Sequence, residues 1–136
     1  MDITLPPRRG YRPEPAPLEN LPFVYRPGRR NKKARRSNWK LPPVDDYGQA
    51  CDLGREYAAH FVQYLKDNPF WVGKNLLGLI LADIDYRDST AAKGCHVGFF
   101  SHLERLLYAQ AVRMDVFDDV DRLRWGHVDT LTDDSQ

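Results

Sequence analysis

Asp46-Tyr47-Gly48-Gln49-Ala50-Cys51-Asp52-Leu53-Gly54-Arg55-Glu56-Tyr57-Ala58-Ala59-His60-Phe61-Val62-Gln63-Tyr64-Leu65-Lys66-Asp67 decides the fold class. Apolar or small residues recur at three and four through Tyr47, Ala50, Cys51, Gly54, Tyr57, Ala58, Phe61, Tyr64 and Leu65, the period of one helix face. Asp45 or Asp46 supplies an N-cap, so the spacing predicts a helix over about 46–67. Asn68-Pro69 then opens a second start, with proline in the first turn. Leu76, Leu77, Leu79, Ile80, Leu81 and Ile84 make the following segment apolar nearly all round, which predicts a central buried helix, with a buried strand over 76–84 as the competing reading. A third helix is expected over 95–112, with Val97, Phe100, Leu103, Leu107 and Ala111 on one stripe. A fourth begins after Asp115, uses Val116, Phe117, Val120 and Leu123, and stops near Gly126. The fold class is therefore all-α: a small bundle of about four helices over 44–127, followed by a frayed acidic tail over 128–136.

Upstream of Val44 the chemistry changes. Nine of the ten prolines lie before that residue, and there they remove amide donors and fix φ, so residues 1–43 read as an extended arm. The arm holds eleven bases against three acids, a balance of +8, while residues 44–136 hold nine against sixteen, −7, although the whole chain is only +1. Leu18, Leu21, Phe23, Val24 and Tyr25 form one short apolar spot in it. The helical segment carries most of the apolar pattern and is expected to fold without the arm. No apolar run reaches the ~20 residues of a spanning helix, and the first residues lack the apolar stretch of a signal peptide. Cys51 and Cys95 have no Cys-x-x-Cys spacing, so neither a disulfide scaffold nor a zinc ribbon is indicated. These features fit a soluble protein of the reducing cytoplasm, with no membrane partner.

Residues 29–40 concentrate seven cationic side chains in twelve positions without an acid. Like charges at that density repel, so the segment is expected to order only against a polyanion. Arg29, Arg30, Lys32, Lys33, Arg35, Arg36 and Lys40 become candidate phosphate ligands, and Trp39 a candidate for stacking on an unpaired base. Arg29-Arg30-x-Lys32-Lys33-x-Arg35-Arg36 followed by Trp39-Lys40 resembles the arginine-rich RNA-binding peptides of the lambdoid phage N antiterminators. Those peptides fold as a bent helix on an RNA hairpin and stack a tryptophan on its loop. Over these twelve residues the resemblance implies an RNA partner in preference to DNA, phosphate contacts from the cations and stacking by Trp39.

Enzymatic signatures are weak. Asp83-Ile84-Asp85 after an apolar run is similar to the nucleophile and acid of haloacid-dehalogenase-type phosphotransferases, but too few residues follow to complete a doubly wound domain. Cys51, His60, Cys95 and His102 have the types of a zinc set without its spacing. Ser101, His102 and Glu104 diverge around one helix and cannot align as a triad. Gly94 and Gly98 match no phosphate-binding fingerprint. The expectation is a non-enzymatic, nucleic-acid-associated regulator or ribonucleoprotein subunit, with no cofactor, metal or small-molecule substrate. The alternative is an adaptor or inhibitor whose acidic helical segment docks on a basic protein, with Phe99, Asp118 and Asp119 as the partner-binding residues.

Overall fold

Asp46 begins the first helix as expected: its side chain accepts from the Gln49 amide at 3.1 Å, and α1 runs Tyr47–Asp67. Asn68 closes it, donating Nδ2 to the Tyr64 carbonyl at 2.9 Å and its own amide to the same turn. In the computed structural model the described residues are 4–8, 10, 21–24, 39 and 41–125. Among them are four α-helices and no strand, so the protein is all-α. The chain divides into two compact units, Met1–His102 and Leu103–Gln136.

In the first unit α1 buries Ala50, Leu53, Gly54, Tyr57, Ala58, Phe61 and Tyr64, the face that its period announces. The next segment departs from expectation. Instead of one long buried helix, a 3-10 turn Pro69–Trp71 is followed by Gly73 at φ +81 and Asn75 at φ +63, and only then by α2, Leu76–Ala82. Two left-handed residues in three positions break the helix before it can lengthen. α2 buries Leu76 and Ile80 but exposes Leu79, so it lies against the core along one side and is helical where a strand was the competing reading.

α3, Lys93–Ala111, buries Gly94, Cys95, His96, Gly98 and Phe99. This corrects the stripe expected through Val97, Phe100 and Leu107: Val97 and Leu107 are exposed, and Phe100 is half-buried. The inward face is chosen by backbone approach. An added methyl at Gly54 of α1 would sit inside the Cys95 carbonyl, and one at Gly98 of α3 inside that of Cys51. The two helices therefore cross with peptide groups nearly touching. Gly94 and Gly98 are packing residues.

Upstream of Val44, Leu21 and Phe23 are among the most buried side chains of the first unit, and Val24 is buried beside them. Proline-rich sequence there prevents helix but not burial of single aromatic side chains. The second unit contains the end of α3 and α4, Val116–Arg124, which Asp115 caps by accepting from the Asp118 amide at 2.9 Å. The tail expected over 128–136 lies outside the described residues.

Candidate functional site

Phe23 and Trp39, separated by fifteen residues, meet with ring centroids 5.2 Å apart. Both rest on the two long helices. Phe23 lies 5.1 Å from Tyr57 of α1 and 5.7 Å from Phe99 of α3, while Trp39 sits edge-on to His96 at 4.6 Å and Phe99 at 5.1 Å. The Trp39 indole N–H donates to the Ile80 carbonyl at 2.8 Å. Burying an indole this way satisfies its polar handle and adds aromatic edge contacts. Trp39 is thus half-buried and packed against protein on the faces of His96, Phe99 and Phe23, contacts that compete with the stacking role the resemblance implies. Phe99, offered as a partner-facing aromatic, has no exposed surface and is the centre of this cluster. The seven candidate cations Arg29, Arg30, Lys32, Lys33, Arg35, Arg36 and Lys40 lie outside the described residues. Asp118 and Asp119 are exposed in the first turn of α4.

A second polar constellation is one that sequence patterning passed over. Glu56, buried on α1, accepts both Arg8 Nε at 2.7 Å and Arg8 Nη2 at 2.6 Å, while His60 Nε2 lies 3.3 Å from the same carboxylate. With Gly10, Ala59 and Gln63 these residues line a pocket of about 390 Å³. The Arg8 guanidinium holds the Glu56 carboxyl below its usual range against the opposing effect of burial. Both carboxylate oxygens are occupied by a forked cation, which makes Glu56 a poor proton acceptor and a good anchor for the N-terminal segment. The signal was present in the sequence: Glu56 and His60 stand four apart on an otherwise apolar face, and a buried carboxylate requires a cationic partner.

The remaining candidates resolve into structure. Burial pushes the Cys95 thiol up to about 12, so it stays protonated and unreactive. Among the described residues no three His, Cys, Asp or Glu side chains are grouped to hold a metal ion. Asp83 and Asp85 are exposed just beyond α2. An apolar groove of about 380 Å³ runs between Phe61, Leu65, Trp71, Leu76 and Leu81. No described helix is long and apolar enough to cross a membrane. Comparisons with family models, curated proteins and solved structures find no match.

Proposed function

We propose that this protein is a non-enzymatic nucleic-acid-associated regulator or ribonucleoprotein subunit that binds phosphates through the basic segment between Val24 and Trp39. One observation carries the reading: Phe23 and Trp39, the packed aromatic residues on either side of 25–38, have ring centroids 5.2 Å apart. Those fourteen residues contain Arg26, Arg29, Arg30, Lys32, Lys33, Arg35 and Arg36 and no acid. Closing seven like charges into one loop raises the local positive potential, and a polyanion relieves the repulsion. The core has already met the entropy of closing that loop, so less ordering is left for the moment of binding. With Trp39 half-buried and bonded to the Ile80 carbonyl, the reading assigns affinity to phosphate contacts and does not draw on base stacking to prefer RNA.

The adaptor alternative draws on Asp118 and Asp119. Both stand in the first turn of α4, where acids complement the helix dipole, and Asp118 pairs with Arg122 at 3.1 Å. Their placement is accounted for within the helix, which favours the first reading. Binding of the full chain to a labelled DNA duplex and to an RNA hairpin across a salt series tests it. If all seven cations engage phosphates, log affinity falls with log salt at a slope of about −6 on the duplex. Changing Arg29, Arg30, Lys32, Lys33, Arg35 and Arg36 together to Gln should bring the slope to about −1. A slope unchanged by these substitutions defeats the proposal.

A further inference from the structure

Glu56, Ala59, His60 and Gln63 fall on one stripe of α1, and the N-terminal segment lies along it. Arg8 reaches the Glu56 carboxylate, while Gly10 stands beside Asp67, one turn beyond Gln63. Gln63 donates its amide to Asp67 at 3.0 Å, so that carboxylate is engaged at the far end of the stripe. The charged or titratable groups that face Glu56 are Arg8, from the N-terminal segment, and His60, from its own helix. Glu56 and His60 are both more than nine-tenths buried, whereas the Arg8 side chain is 78% exposed. Of the three, only Arg8 can leave.

Two states of the site follow from that asymmetry. With Arg8 in place its fork neutralises the carboxylate, and a proton on His60 would add a second cation beside the guanidinium at a buried position. With Arg8 gone, the same carboxylate is a buried charge without a counter-ion. His60 Nε2, 3.3 Å from Oε2, is placed to supply one by taking a proton from water. The imidazole therefore binds its proton more tightly in the released form than in the docked form. The coupling is reciprocal: a lower pH favours release, and release takes up a proton.

We propose that the N-terminal segment is a proton-released strap: as Arg8 leaves Glu56, His60 takes one proton from solvent and replaces the guanidinium as the cation on the carboxylate. The strap is docked at neutral and alkaline pH and loosens as pH falls through the histidine range, about 6.5. With Arg8 docked, the Glu56 carboxyl is held below its usual range and does not titrate in that window. The device lies wholly within the first unit and does not depend on the nucleic-acid reading.

Nitrogen-15 NMR on the full chain tests it. In a pH titration the His60 imidazole of Arg8→Ala should have a pKa about one unit or more above that of the parent, equivalent to about a tenfold weaker hold on the strap in acid. Arg8 lies outside the helices, so this variant keeps the fold in which the measurement is made. Exchange of the Arg8 Nε–H with solvent, compared with free arginine at the same pH, reads release directly. Its protection in the parent should fall several-fold between about pH 7.5 and pH 5.5 and stay level in His60→Gln. A His60 pKa that is unchanged or lower in Arg8→Ala overturns the proposal. So does Arg8 protection that is the same at both pH values, or a loss that persists in His60→Gln, which would put the proton on Glu56.

Discussion

Trp39 separates a residue that reads nucleic acid from one that holds the fold, and its indole nitrogen distinguishes the two. Trp39→Phe keeps a ring against His96 and Phe99 but loses the donor to the Ile80 carbonyl, a loss of about 1 kcal/mol. Trp39→Ala also opens a cavity beside Phe23 and should cost about 3 kcal/mol, the low end for a large aromatic because the ring is half-buried. Urea unfolding midpoints check both values. Unchanged midpoints with weakened binding to an RNA hairpin would return Trp39 to the stacking role. His96 beside it adds a pH signature. Burial lowers its pKa from the ordinary 6.5, against the opposing pull of Asp88 and Asp85, and Nε2 has no hydrogen-bond partner among the described residues. The unfolded chain therefore binds the proton first as pH falls. Stability from this group is whole above pH 6.5 and declines below it, until the folded imidazole is protonated as well. Urea midpoints from pH 8 to pH 5 should show that decline in the parent chain and a flatter profile in His96→Phe.

At the scale of elements, the crossing of α1 and α3 makes an unusual demand on glycine. Helix propensity alone says that Gly→Ala within a helix gains about 1 kcal/mol. At Gly54 and Gly98 the added methyl instead meets the backbone of the facing helix, which cannot move aside as a side chain would. Each substitution should destabilise by about 1–3 kcal/mol or more, read as a lowered melting temperature. Gly73→Ala meets open space and should cost only the left-handed backbone, about 1 kcal/mol. A rise in melting temperature at Gly98 would mean that the helices cross elsewhere. The glycines also show how far the sequence is legible. α1 was readable from 46 to 67, α3 and α4 to within two residues, and the all-α class with them, because caps and helical period are local signals. The crossing was not, since Gly94-x-x-x-Gly98 acquires meaning only once Cys51 is known to face it. For the same reason Val97 and Leu107 looked like core: a helix that is apolar on several sides does not announce which side turns inward. The Arg8–Glu56–His60 cluster was half legible, as a charge on an apolar face whose partner lies 48 residues away.

Across the whole molecule, the core of the first unit depends on residues distant in sequence. Phe23 is fully buried, Leu21 nearly so, and Trp39 spans α2 and α3 through Ile80 and His96. Removing a buried phenylalanine alone costs about 3–5 kcal/mol, and a domain of this size holds only about 5–15 in all. A chain beginning at Val44 would lose Leu21, Phe23, Val24 and Trp39 together and leave Tyr57 and Phe99 uncovered. It should lack the near-ultraviolet circular dichroism of fixed aromatic side chains, contrary to the independence that the helical pattern suggests. Replacing residues 25–38 with fourteen Gly and Ser residues is the contrasting change. Both anchors remain, loop length is unaltered, and the closure entropy differs little. Removing seven mutually repelling cations should leave the melting temperature equal or higher, with nucleic-acid affinity at low salt reduced by orders of magnitude. Unfolding of the loop-replaced chain would place 25–38 within the core. Undiminished affinity would move the nucleic-acid surface elsewhere, and either outcome would end the reading of this segment as a basic loop held at both ends.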